Sequence, residues 1–314
     1  MNSSREEIGV LLDYYLDMEL GGDNDFELKV NSNNQILKSG YYFYFEGREL
    51  GGVIDSLKVD SSDGTVRYLG RTWRGILNSK IVEPDSGDDY LVLTGELNDL
   101  IDILISRQSL DGLFTVSTTD TGVSVTSWQV DRYITLYQAI MDLLESEGYR
   151  LNISYENGSV QLEAVAIIDY SDDEEVDSGI VDMVVQRNDQ FVNHLVCLGQ
   201  GDLSARTVVH LYADTDRNIS TTQSIFGAQE WTDIYDYSNA ESTDELTSGG
   251  AERLEELISQ GDVSFSINED YDYQIGDIIG GKEVITDISV QKEITKKIHI
   301  VDNGIEKIKY EVGE

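Results

Sequence analysis

His194, Cys197 and His210 are the side chains of this sequence best suited to chemistry, because the only cysteine lies between two of the three histidines. They could form a thiolate–imidazole nucleophile or part of a metal site. A nucleophilic cysteine needs its thiolate stabilised by a helix N-terminus or a neighbouring cation. Cys197 instead occupies the apolar run Leu195-Val196-Cys197-Leu198, where a thiol behaves as a small buried hydrophobe. His194 and Cys197 are three residues apart, so in an extended strand they project to opposite faces. His299 lies in a separate strand pattern and completes no triad. Residues 193–212 therefore read as two apolar strands around the turn Gly199-Gln200-Gly201-Asp202, with a structural role. That turn lacks the third glycine and following helix of a dinucleotide fingerprint.

Other candidates resolve the same way. Asp214-Thr215-Asp216-Arg217-Asn218 opens like an EF-hand loop, but Ile219 stands at the turn glycine and Ile225 at the closing acid, so a polar turn is expected. Carboxylate pairs spaced for glycoside hydrolysis carry no information in a chain with 60 Asp+Glu. The sequence assigns no catalytic, cofactor-binding or metal-ligating residue, and no cofactor is expected.

The elements that position these residues are mostly strands. Leu12, Tyr14, Leu16, Met18 and Leu20 alternate over 8–20, Phe26, Leu28 and Val30 repeat the pattern, and Tyr41–Phe45 reads as a strand buried on both faces. A hairpin is expected at 52–59 and 65–69 through Ser61-Ser62-Asp63-Gly64. Trp73, Ile76 and Leu77 follow at i, i+3 and i+4, suited to plug the end of a barrel. The period then changes. Leu97, Leu100, Ile101 and Leu104 mark a helix over 95–106, and a second is expected over 131–147 with Asp131 as N-cap and Gly148 as stop. Residues 112–128 between them read as a strand pair, and Asn157-Gly158 signals a hairpin. Ser171-Asp172-Asp173-Glu174-Glu175 reads as a solvated linker. Strands return at 180–186, 193–212 and 263–267. A helix with Ala251, Leu254, Leu257 and Ile258 inward lies in an inserted segment, and a last pair spans 296–301 and 308–312 across Asp302-Asn303-Gly304. Gly51-Gly52-Val53-Ile54-Asp55 is echoed by Gly280-Gly281 and Val284-Ile285-Thr286-Asp287.

At 314 residues the chain can hold two or three cores. The 60 Asp+Glu against 22 Lys+Arg give −38, which argues against docking on nucleic-acid phosphates or an anionic membrane. A halophilic source is an alternative cause of that excess. One cysteine excludes an internal disulfide. No cationic apolar leader follows Met1 and no apolar run approaches the roughly twenty residues of a membrane span, so a soluble, cytosolically made product without membrane insertion is expected.

Gly70-Arg71-Thr72-Trp73-Arg74-Gly75-Ile76-Leu77 with Lys80-Ile81-Val82, Val192-Asn193-His194-Leu195, Gly199-Gln200-Gly201, Arg206, Leu211-Tyr212-Ala213-Asp214, Tyr235–Glu241 and Ile275-Gly276-Asp277-Ile278-Ile279-Gly280-Gly281 occur in that order. Together they resemble the siphophage ReqiPepy-type tail protein family, which looks like the central hub of phage and contractile-particle baseplates. The resemblance implies an α+β, mostly β fold: a tail-tube-like barrel at 1–88, an α+β domain at 90–170, and a second barrel at 178–213 and 262–314 with a helical insertion at 214–261. It implies a homotrimer whose six barrels join a sixfold tail tube to a threefold spike or fibre, within a virion or tail-like particle assembled in the host bacterial cytoplasm. Partners would be the tail tube or distal tail protein, the central spike or tail fibre protein, and the tape measure protein. Trp73, Arg74, Asn193, His194, Arg206, Gly276, Asp277, Gly280, Gly281, Lys296 and Lys297 are the expected structural and assembly residues. The acidic excess would line the channel, and the lysine-rich segment 282–309 would face an acidic neighbour. The rival readings are a tail-associated cell-wall hydrolase, for which no segment supplies a catalytic site, and a cation-dependent adhesin.

Overall fold

The computed structural model describes residues 1–314 apart from 61, 63, 172–174, 178–182, 187–189, 202, 241, 260–263, 268–272, 284–287, 303 and 314. The expectations at Ser61 and Asp63, Asp172–Glu174, Ile180, Asp202, Val263, Val284–Asp287 and Asn303 lie outside the described residues. The chain divides into two compact units, one of residues 1–183 and 266–313, the other of residues 184–265.

In the first unit, β1 (Tyr14–Leu20) buries Leu16, Met18 and Leu20. The alternation that begins at residue 8 does not make strand before Tyr14. Asp13 takes the left-handed φ of 55°, which breaks ladder geometry, and Val10 and Leu12 are exposed. β2 (Asp25–Asn31) buries Phe26, Leu28 and Val30. β3 (Tyr42–Tyr44) buries Phe43 and leaves its two tyrosines half-buried, so the aromatic run is buried on one face rather than both. β4 (Gly51–Asp60) and β5 (Thr65–Thr72) form the expected pair, with a bulge between Ile54 and Ser56.

α1 (Trp73–Asn78) starts where the Thr72 hydroxyl accepts from the Gly75 amide at 3.2 Å. Its Trp73, Ile76 and Leu77 join the core of the helices that follow rather than plugging a barrel end. β6 (Leu91–Glu96) leads into α2 (Leu97–Arg107), capped by the Glu96 carboxylate on the Asn98 and Asp99 amides. β7 (Phe114–Val116) and β8 (Ser124–Val130) were expected to pair with each other. Instead β7 runs parallel to the later strand β10 (Ser159–Ala166) and β8 pairs with β6. α3 (Leu136–Ser146) is capped by Thr135, not Asp131, because Tyr133 at φ 60° interrupts helical geometry between them. Gly148 at φ 74° ends it as expected. β9 (Tyr149–Glu156) and β10 (Ser159–Ala166) form the Asn157-Gly158 hairpin.

After β11 (Glu175–Asp177), the chain leaves the first unit near β12 (Met183–Gln186). The second unit is a four-stranded sheet of β13 (His194–Leu198), β14 (Val208–Ala213), β15 (Ile219–Ser220) and β16 (Thr232–Asp236), ordered β15-β14-β13-β16. α4 (Thr243–Ser259) covers one face, packing Leu246, Leu254 and Ile258 on Leu195, Cys197, Leu211 and Ala213. Strands β13 and β14, expected to share a barrel domain with 262–314, pair with each other and with β15 and β16 of the expected insertion 214–261.

β17 (Ser264–Ile267), β18 (Ile278–Glu283), β19 (Ile288–Asp302) and β20 (Ile305–Val312) complete the chain. In the first unit's large sheet the strand order runs β17-β20-β19-β1-β2-β5-β4-β3, with β18 and β11 branching from β19. β1 and β19 join the N- and C-terminal strands through six paired positions from Tyr15↔Asp302 to Leu20↔Lys297. The fold is α+β and mostly β. Among the described residues the sheet stays open at β3, and no helix is long and apolar enough to cross a membrane.

Candidate functional site

The residues singled out from sequence fall into clusters, three of them in the first unit. Trp73 is fully buried and stacks between Tyr42 and Tyr155, at centroid distances of 6.3 and 6.0 Å. Gly51 allows this: a Cβ there would lie 2.5 Å from the indole. Arg74, 2% exposed, donates through Nε to Glu49 at 2.5 Å, and at 3.2 Å each to the Tyr137 hydroxyl and the Leu151 carbonyl. Burial works against its charge, but Glu49 and Tyr137 outweigh it and hold the guanidinium above its ordinary range. Arg74 thus ties α1 to α3 and β9.

Asp277 is fully buried and accepts from Arg150 Nε at 2.7 Å, the Ile168 amide at 3.1 Å and the Gln274 amide at 3.0 Å. Gly276 at φ 97° makes the turn, and a Cβ on it would sit 2.7 Å from that of Arg150. Gly280 and Gly281 lie in β18, opposite Gln291 and Val290 of β19, and a Cβ on Gly280 would lie 3.1 Å from the Ser171 backbone. The Gly-Asp-x-x-Gly-Gly motif therefore clasps β18 to β9 and to the segment after β10. Arg150 was not anticipated; it is an arginine at the inner end of a strand, 127 residues from its partner, and nothing local marks it.

The expected pair Lys296 and Lys297 separates. Lys297 is buried, donates to the Tyr273 carbonyl at 3.0 Å and lies over the Tyr310 ring, enclosed by its own chain. Lys296 lies 3.2 Å from Glu19 and 3.5 Å from Glu311. Partial burial opposes its charge, but these carboxylates hold it above the usual lysine range. A polar cleft of about 450 Å³ beside them is lined by Arg48, Glu49, Gln274, Lys297 and His299. There Glu306 takes Arg48 at 2.9 and 2.5 Å and His299 Nδ1 at 2.8 Å. Bonding from His299 and Arg48 lowers the Glu306 carboxyl to about 2, while burial pushes His299 down. The arrangement is a clamp between β19, β20 and the loop before β4.

In the second unit, Asn193 donates to the Gln229 carbonyl at 2.8 Å and accepts from the Trp231 amide at 3.1 Å, fixing the 227–231 loop beside β13. Arg206 donates to the Gly199 carbonyl at 3.1 Å and to Asp236, closing the Gly-x-Gly turn on β16. Cys197 is fully buried against α4, where a side chain on Gly250 would collide with its sulfur, and burial pushes its thiol up. His194 lies on the opposite face, as the spacing required. Sequence reasoning missed the company it keeps. His194 Nε2 is 2.8 Å from His210 Nδ1, its Nδ1 is 2.7 Å from Glu230, and its ring stacks on Tyr212 at 4.5 Å. The register His194↔Tyr212, Val196↔His210 produces this diagonal contact. The carboxylate of Asp214 is taken up by the amides of Asp216 and Asn218, both at 2.9 Å, as a polar turn. No group of three or more His, Cys, Asp or Glu side chains is arranged to hold a metal ion among the described residues.

No family model matches the sequence, and no curated protein is significantly similar to it. The fold is shared with phage tail proteins of known structure. The 43 kDa tail protein of prophage MuSo2 from Shewanella oneidensis superposes with a TM-score of 0.56 and 11% identity, over 97% of this chain and 95% of that one. The tail protein from Neisseria meningitidis MC58 gives 0.51 and 14%, over 96% and 92%.

Proposed function

We propose that this chain is a structural baseplate hub of a phage tail or tail-like particle. The observation that carries the reading is the near-complete match, in both directions, to the MuSo2 tail protein fold. The ordered motifs resembling the siphophage ReqiPepy-type family support it, since Arg74, Asp277, Asn193 and Arg206 each make the chain's own structural bonds. Of the side chains that looked most chemical, Cys197 is buried against α4 on the face of the sheet opposite His194, so no thiolate–imidazole pair forms, which favours a mechanical role over an enzymatic one.

In the finer form of the proposal, three copies form a ring. Residues 1–88 and the strands of 262–314 act as two tube-like modules per chain, with 90–170 as the α+β domain between them, so six modules continue a sixfold tube above a threefold spike or fibre. The β1–β19 pairing supports this, because it sets the two modules edge to edge. Much of the −38 charge per chain lines the lumen, so cargo slides through without adhering. The ring sits in the virion or tail particle, contacting tube or distal tail, spike or fibre, and tape measure proteins. Light scattering of the purified chain tests the state: a trimer near 105 kDa, three times 35.1 kDa, supports it, and a monomer at all concentrations refutes it.

A further inference from the structure

The contact between His194 and His210 is the one place among the described residues where two imidazoles meet directly, and its geometry assigns a ligand. Glu230 is acceptor-only when ionised, so His194 carries its proton on Nδ1, 2.7 Å from that carboxylate. In the neutral ring His194 Nε2 is then a bare lone pair, and His210 donates to it from Nδ1 across the 2.8 Å contact. The two ring nitrogens therefore face each other, and a tilt of the His210 ring would turn both toward one ion. Tyr212, stacked on His194 at 4.5 Å, fixes that ring, whereas His210 stands exposed on β14. A histidine held on one nitrogen by a carboxylate, with the other nitrogen offered, is the arrangement that orients imidazole toward a metal.

We propose that His194 Nε2 and His210 Nδ1 bind a borderline divalent transition-metal ion of the zinc or nickel class, with Glu230 orienting His194 from behind. Two nitrogens on one tetrahedral zinc, each about 2.0–2.1 Å from it, lie about 3.3 Å apart. The pair thus needs to open by about 0.5 Å with a tilt of the exposed His210 ring. His210 shifts its proton to the outward Nε2, so binding to the neutral pair releases no net proton. Water fills the remaining positions on the open side. Hard cations such as Mg2+ prefer oxygen ligands and are not retained there. Cys197 takes no part, since it faces α4 across the sheet.

The test uses the full chain, stripped with chelator, in a background of Mg2+ that occupies surface carboxylates. Zn2+ and Ni2+ are titrated while thermal unfolding and Trp231 fluorescence are followed, Trp231 being next to Glu230 in sequence. The expected result is saturable binding that raises the unfolding temperature, unchanged in C197S. H210N weakens it at least tenfold and E230Q by about 10–100-fold. His210 is exposed and Glu230 lies in a surface loop, so both variants fold; equal circular dichroism of the metal-free proteins verifies it. Equal affinity in H210N and wild type, or no response of the wild type up to about 1 mM metal, where a site of useful affinity would saturate, overturns the proposal.

Discussion

Replacing Asp277 with alanine is the sharpest perturbation of the first unit. The carboxylate is fully buried, and its loss leaves the Arg150 guanidinium, 6% exposed, without its ion partner. It also orphans the Ile168 and Gln274 amides. Arg150 Nη1 already has no hydrogen-bond partner, so no ready alternative exists for the displaced charge. Removing one member of a buried pair costs about 3–5 kcal/mol, a large part of the roughly 5–15 kcal/mol that holds a domain folded. R150M alone should cost less, because a methionine leaves no charge and retains the packing stem. In R150M/D277A no buried charge remains, and the loss should fall short of the summed single losses by about 1–3 kcal/mol. Urea unfolding followed through Trp73 and Trp128 reads this unit, because the third tryptophan belongs to the other. A loss below about 1 kcal/mol for D277A, or strict additivity in the cycle, would refute the clasp.

Gly51→Ala should destabilise by about 1–3 kcal/mol, since its methyl enters the Trp73 ring and the Phe43 carbonyl; a chemical-denaturation midpoint equal to wild type would contradict it. For pH, His299 is pushed below its ordinary value in the fold, so the unfolded chain binds its proton first and stability should decline as pH drops below about 6.5. Glu306, lowered to about 2, adds stability that is present above its unfolded value near 4.5 and is lost on acidification toward 2. Urea midpoints across pH should show the first decline in wild type and lose it in H299Q. Glu293, raised by burial and by Glu145, disfavours the folded state at neutral pH, so E293Q should gain stability by at most about 1 kcal/mol; a loss at pH 7 would contradict that sign. Cys197 should resist thiol reagents until the chain unfolds, and rapid labelling under native conditions would place it outside the core described.

Much of the fold was legible where a pattern is local. The apolar faces of β1, β2, α2 and α4, the Asn157-Gly158 turn and the Gly148 stop follow from periodicity and φ preference. What was illegible depends on distant pairing. The alternation of Val10 and Leu12 looks the same as that of Leu16 and Met18, but Asp13 turns the chain before a partner is available. β7 and β8 are adjacent in sequence, yet each pairs with a strand beyond a helix. Lys297 looks like its neighbour Lys296, and only the strand's two-residue period decides which amine turns inward. The His194–His210 contact required knowing the register of β13 against β14, which the Gly-x-Gly turn sets and composition cannot.

The proposed role is mechanical: a hollow adaptor built from copies of a chain with a phage-tail fold. Negative-stain imaging of the purified protein tests it most directly. The account predicts threefold rings with a central hole, and a population of isolated single chains under every condition tried would contradict it.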